Sequence, residues 1–188
     1  MALPFYRFSL GDRRPHTMKI IFLDIDGVLN SSDYGESEFY LISTAGLSDA
    51  EIMLTFHHHH LDPLAIKILN DLVKRSGAEV VLSSTWRGRY TPEEMTKMLK
   101  DRGGEFEIKS ATPKLFGKIS QRIPRGKEIA HYLKTLEKQP EYFVILDDHD
   151  DMLHLKPFLV QTDMQHGLTQ NDVEKALKIL NGGDDGKV

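Results

Sequence analysis

Met18 to Asn30, MKIIFLDIDGVLN, decides how the rest of the chain is read. Its first seven residues form a nearly continuous apolar run that ends at Asp24, with Asp26 and Gly27 close behind. Such a run fits a strand buried on both faces of a parallel sheet, with polar residues emerging at its carboxyl end. Two further segments have the same character: Glu79 to Ser84 (EVVLSS), and Tyr142 to Leu146 (YFVIL), which runs into Asp147 and Asp148. Phe158 to Gln161 reads as a fourth strand, and Glu105 to Lys109 as a candidate fifth.

Helices separate these strands. Asp62 caps one, with Pro63 at its first position, a stripe through Leu64, Ala65, Ile68, Leu69, Leu72 and Val73, and Gly77 as its stop. Thr91-Pro92-Glu93-Glu94 opens another with a capping box, ended by Gly103 and Gly104. Gly126 to Leu136 turns Ile129, Tyr132, Leu133 and Leu136 inward, and Thr169 caps a last helix striped by Val173, Ala176, Leu177 and Leu180. Strands alternating with helices imply right-handed βαβ crossovers and a Rossmann-like α/β/α sandwich around a mostly parallel sheet. Ligands then belong at the carboxyl edge of the strands.

The 188 residues suit one domain over 18–182, with residues 1–17 as a flexible extension and 183–188 as a tail. Between about 30 and 60 the periodicity is weak, so this interval reads as a flap or small cap over the end of the first strand. A net charge of −4 lacks the basic footprint of a general nucleic-acid binder, so any such contact is local. The absence of cysteine excludes thiolate chemistry and fits a reducing, cytoplasmic setting. No apolar run reaches membrane-spanning length, and no obligate protein partner is evident.

The chemistry lies where the strands end: Asp24-Ile25-Asp26-Gly27, Ser83-Ser84-Thr85, and Asp147 to Asp151. In a parallel sheet these ends share one rim. Taken alone, Asp24 to Gly27 is a turn leaving a strand, and Asp147 to Asp151 is a helix start with acids favoured by the dipole. On one rim the carboxylates raise one another's proton affinity unless a cation joins them. An all-oxygen set suits Mg²⁺.

These residues resemble the haloacid dehalogenase (HAD) superfamily of phosphatases, whose four motifs occur in order from Asp24 to Asp151. The resemblance implies that Asp24 attacks phosphorus to give an aspartyl-phosphate, while Asp26 protonates the leaving oxygen and then activates water. An aspartate at the second position favours a phosphatase over a dehalogenase, because a halide leaves without a proton. Ser83, or else Ser84, would donate to a phosphoryl oxygen. Arg125 would neutralise phosphoryl charge, with Lys127 as the fallback, although many relatives carry lysine there. Asp148 would hold the metal beside Asp24 and the Asp26 carbonyl, with Asp147 or Asp151 orienting water. LSSTWR (82–87) and the Thr162-Asp163 and Gly167–Thr169 segments are similar to a minimal-cap group that includes HAD domains of RNA-repair proteins.

By that resemblance the substrate is a phosphorylated small molecule or a nucleic-acid end, touched by Gly27, Ser84, Thr85, Trp86, Arg87 and Lys127. From Lys109 to Lys127 six Lys or Arg occur without an acid, either a local positive field or a solvated basic loop. Trp86, flanked by Arg87 and Arg89, either stacks on a base or packs at the pocket edge. Adjacent residues diverge in direction, so His57 to His60 do not read as one metal site, although one of them could face the pocket. Two other functions use the same motifs: a binding module without turnover, and phosphotransfer to an acceptor other than water.

Overall fold

The computed structural model describes residues 17–116 and 123–183. The expected N-terminal extension apart from Thr17, the basic residues Lys118 and Arg122, and the tail after Gly183 lie outside the described residues. Five strands form one parallel sheet: β1 (Lys19–Leu23), β2 (Glu79–Leu82), β3 (Ile108–Ala111), β4 (Tyr142–Asp147) and β5 (Leu159–Gln161), in the order β3-β2-β1-β4-β5. The strand expected at 105–109 lies three residues later, because Phe106 is drawn into the core before the extended segment begins. The Phe158 strand is three residues long and follows a 3₁₀ turn at Leu153–Phe158.

Side-chain alternation gives the sheet two apolar faces. Ile21, Leu23, Val80, Leu82, Val144 and Leu146 pack beneath α4 (Pro63–Ser76), α5 (Pro92–Asp101) and α7 (Gln170–Leu180). Ile20, Phe22, Val81, Phe143 and Ile145 face α6 (Arg125–Thr135) and Met152 and Leu155 of the following turn. The molecule is therefore a three-layer α/β/α sandwich. Asp62 accepts from Leu64 N at the start of α4, Gly77 ends that helix at φ 65°, and Thr91 and Thr169 both close capping boxes.

Three helices occupy the interval expected as a flap or small cap: α1 (Ser32–Gly35), α2 (Glu38–Thr44) and α3 (Asp49–His60). Ser31, Ser37 and Ser48 each cap one by accepting a backbone N–H. The weak periodicity belongs to short helices that bury little, Tyr34 being the one buried residue of α1 and α2 together among the described residues. The chain rejoins the core where Asp62 N donates to Leu29 O at 2.8 Å.

The ladder continues one step past the strands and sets the rim. Asp24 N donates to Leu146 O (2.9 Å), Ser83 N to Leu23 O (2.8 Å), Thr112 N to Leu82 O (2.9 Å) and Thr162 N to Asp147 O (3.1 Å). Every strand end carrying a candidate residue is thereby held level with its neighbour. Among the described residues, no helix is long and apolar enough to cross a membrane.

Gly126 fixes how α6 approaches this rim. A Cβ there would stand 2.1 Å from the Met152 carbonyl oxygen, a backbone atom with no freedom to swing away. We expect Gly126→Ala to destabilise the fold by about 1–3 kcal/mol, and Gly35→Ala, whose Cβ meets nothing within 4 Å, to stay within about 0.5 kcal/mol. Urea denaturation of the two variants checks the contrast.

Candidate active site

The β1 exit bends sharply at Gly27, which sits at φ 69°. A side chain there would meet Asp148 Cβ at 2.6 Å, so the bend and the second acid of the β4 exit are in close approach. Thr162 locks the arrangement by donating its hydroxyl to Gly27 O at 2.7 Å. The same turn brings Asn30 back beneath Asp26: its carbonyl accepts from Gly27 N and its amide donates to Asp26 Oδ1, both at 2.9 Å.

Asp24 is buried, accepts from Ile25 N at 2.8 Å, and faces the Arg125 guanidinium at 3.5 Å. Burial raises its pKa above the ordinary carboxylate value, against the pull of Arg125 and of a hydrogen bond from Ser84. Asp147 is more enclosed still; burial and the neighbouring Asp24 push it up to about 7, again opposed by Arg125, whose Nε lies 3.5 Å away. Arg125 thus stands between the two buried acids, while Lys127 is exposed.

The remaining acids of the β4 exit divide by position. Asp148 takes His149 Nδ1 at 2.6 Å, and oxygen and nitrogen atoms of Asp147, Asp148 and His149 lie within 4.8 Å of one another. Asp151 caps α6 from a distance by accepting Arg125 N at 3.2 Å, which Pro124 at the helix's own cap position cannot do with a side chain. Asp147 Oδ2 and Asp151 Oδ1 are buried with no hydrogen-bond partner. Asp147 and Asp148 offer carboxylate oxygens that fit a hard divalent cation, whereas among the described residues Asp24, Asp26 and Asp151 fall outside the group whose ligand atoms converge.

The two serines of the β2 exit differ in their contacts. Ser84 accepts Trp86 N at 3.3 Å as the cap of a 3₁₀ turn at Thr85–Gly88, and its hydroxyl is near enough to Asp24 to lower that carboxyl's pKa. The Ser83 hydroxyl is fully buried without a partner. Trp86 is also buried, and its indole N–H is 3.1 Å from both oxygens of Asp26. Asp26 is therefore oriented by Trp86 and Asn30 together. Thr85 is exposed at the same turn.

Arg87, a candidate substrate contact by sequence, ties the β2 exit to α6. Its guanidinium donates to Ser83 O at 3.0 Å, to Ser84 O and to Glu128. Glu128 is buried, also accepts Leu115 N at 3.0 Å, and lies 4.0 Å from Arg125. Sequence reasoning missed Glu128, since one acid on a helix ordinarily reads as a solvated face. Its spacing of three from Arg125, on the side of α6 that carries Ile129, was the available signal. Asn30 was also missed, although it ends the stretch that carries Asp24 and Asp26.

Beside Asp26 a cleft of about 490 Å³ opens between α3 and the β2 turn, lined by Asn30, Phe56, His57, His60, Trp86, Arg89 and Lys114 among others. His57 bonds Tyr90 Oη at 2.8 Å and His60 bonds Tyr40 Oη at 3.2 Å. Of the four histidines, those three residues apart face the cleft, as helical geometry requires. Burial holds both below the ordinary histidine pKa, with Arg89 adding to the effect at His57 and the neighbouring His57 and His59 at His60.

Residues 20–173 match the family model described as the HAD domain in Swiss Army Knife RNA repair proteins. No curated protein matches the chain. A solved structure titled "Structural characterization of the Mycobacterium tuberculosis Protein Tyrosine Kinase A (PtkA)" is similar at 16% identity and a TM-score of 0.44, covering 86% of this chain and 99% of that chain. That likeness is too slight to carry a functional statement.

The buried Arg87–Glu128 pair gives a direct test of the scaffold. Arg87→Met leaves Glu128 charged and enclosed with its main partner gone, and we expect a loss of about 3–5 kcal/mol. Adding Glu128→Gln should recover part of it, because the uncompensated charge is removed. Chemical denaturation of the single and double variants measures both.

Proposed function

The chain belongs to the family of HAD domains in Swiss Army Knife RNA repair proteins, and on that premise we propose that it is a Mg²⁺-dependent phosphatase. The reading covers phosphomonoesters, including nucleotides and polynucleotide ends. The observation that carries it is the pairing of a buried carboxylate facing an arginine, Asp24, with a second carboxylate two residues on, Asp26, that opens onto a cleft.

In this reading an Asp24 oxygen attacks phosphorus while the bond to the leaving oxygen breaks, and Asp26 as the acid donates its proton to that oxygen. Asp26, now ionised, takes a proton from water as the water oxygen attacks phosphorus. The acyl-phosphate bond breaks, freeing Asp24 and inorganic phosphate. Arg125 turns its guanidinium from Asp24 and Asp147 toward the phosphoryl oxygens. The Ser83 hydroxyl, which lacks a partner, supplies a donor to the same oxygens, and Ser84 stays on Asp24 to hold its orientation.

Asp24, the Asp26 carbonyl and Asp148 would hold Mg²⁺, with Asp147 or Asp151 behind them. When bound, the ion neutralises phosphoryl charge and separates the carboxylates from one another. Trp86 and Asn30 act through Asp26: by fixing its carboxylate they aim it at the leaving oxygen.

Asp24→Asn should abolish Mg²⁺-dependent phosphate release from an aryl phosphate. Full activity in the folded variant would remove Asp24 as nucleophile, and activity that survives exhaustive chelation would remove the metal. Trp86→Phe deletes the indole donor, and we expect kcat for an alkyl phosphate, whose leaving oxygen needs a proton, to fall about tenfold more than for an aryl phosphate. An equal fall for both substrates would show that Trp86 acts on something other than the acid.

A further inference from the structure

The cleft beside Asp26 lies on the leaving-group side of the reaction, because the residue assigned to protonate the departing oxygen lines it while the nucleophile does not. Its walls are unusual for a site that admits any alcohol. Phe56 and His60 lie with ring centroids 3.8 Å apart, and His57 stands 4.5 Å from Trp86. Both imidazoles are pinned by tyrosines, from Tyr90 on the core side and Tyr40 within the insertion. Phe56 nevertheless remains 44% exposed, an apolar ring presented to the opening.

Two cations stand at the same cleft. Arg89 and Lys114 both line it, and neither forms an ion pair among the described residues. Arg89 is close enough to His57 to depress its protonation. Neutral flat rings suit a planar heterocycle, which stacks on any of them and can hydrogen-bond to the ring nitrogens not taken by tyrosine. Unpaired cations beyond the rings suit an anion on the same ligand. The volume, about 490 Å³, falls within the ~300–1,000 Å³ of ligand sites.

We infer that this cleft is a leaving-group site for the end of a nucleotide chain: a nucleobase lies against Phe56, His57 and His60, and the next phosphodiester is held by Arg89 and Lys114. The inference deepens the phosphatase reading and rests on it for the position of the terminal phosphate. A mononucleotide fills the ring wall but leaves both cations unused, so the site prefers a chain of at least two nucleotides. A non-aromatic phosphomonoester uses neither.

Trp86 is the sole tryptophan and lines the cleft, so its fluorescence reports binding without turnover. The intact chain is titrated with unphosphorylated diadenylate and with adenosine. We expect saturable quenching by both, with diadenylate binding about tenfold tighter, an advantage that Arg89→Ala/Lys114→Ala removes. Phe56→Ala should weaken both about tenfold. In parallel, kcat/KM is measured for 3′- and 5′-phosphorylated diadenylate and for glycerol phosphate, with the ratio expected to favour one diadenylate at least about tenfold and to collapse in Phe56→Ala.

Equal binding of diadenylate and adenosine, indifference to the double variant, or no saturation by diadenylate overturns the site. Phosphate release from glycerol phosphate as efficient as from both diadenylates also overturns it and leaves the phosphatase reading intact. Tight, Arg89- and Lys114-dependent diadenylate binding with no phosphate release from any substrate keeps the site and removes the phosphatase reading instead.

Discussion

The structure depends on carboxylates being forced together at one edge of a parallel sheet. Register leaves no choice: Leu23 is level with Leu146, so the next residues, Asp24 and Asp147, emerge side by side. Both are buried, burial raises the proton affinity of each, and the charge of Asp24 raises that of Asp147 further. One buried arginine, Arg125, stands between them and opposes that tendency in both. Asp148 adds a further acid against the backbone bend at Gly27. A cluster of this kind is a place where a cation or a phosphoryl group is stabilised by charges that are already in position.

Arg125 needs its own support, because a guanidinium in so enclosed a place must be aimed. The support comes from α6 and its surroundings. Asp151 caps the helix at Arg125 N, Gly126 lets the helix sit directly on the Asp151–Met152 backbone, and Glu128 meets Arg125 from one turn on. Glu128 also fixes Arg87, which in turn holds the carbonyls of Ser83 and Ser84. A single network of buried charges therefore joins the β2 exit, the β4 exit and α6. Buried pairs of this sort are costly to break singly, which couples the geometry of the site to the stability of the fold.

The insertion between β1 and α4 has a different role. Its ends reach the main apolar core through Leu29 and Leu61, while among the described residues its three helices add no buried residue to that core. Its last helix sets Phe56, His57 and His60 across from Trp86 and so builds one wall of the cleft at Asp26. The acid at the edge of the sheet and the chemistry of the wall are separable features: the first belongs to the parallel sheet and its ladder, the second to three short helices started by serine caps.

Local sequence carried the alternation of buried strands and capped helices, the exits bearing Asp24, Ser83 and Asp147, and the α/β/α layering, because apolar runs, Asp62, Thr91 and Gly77 act through neighbours in the chain. It also carried the HAD family, since the D-x-D-G-V turn and its companions are contiguous motifs. Tertiary structure alone decided what those residues touch. Trp86 proved to be a donor to Asp26 and Arg87 a clamp on Glu128, contacts that span 60 and 41 residues. Arg125 lies on the side of α6 that faces the rim and Lys127 on the exposed side, and Asp151 caps the helix through a backbone amide 26 residues away. Pairings across such separations leave no trace in local periodicity, because they are selected by the packing of elements whose own formation does not depend on them.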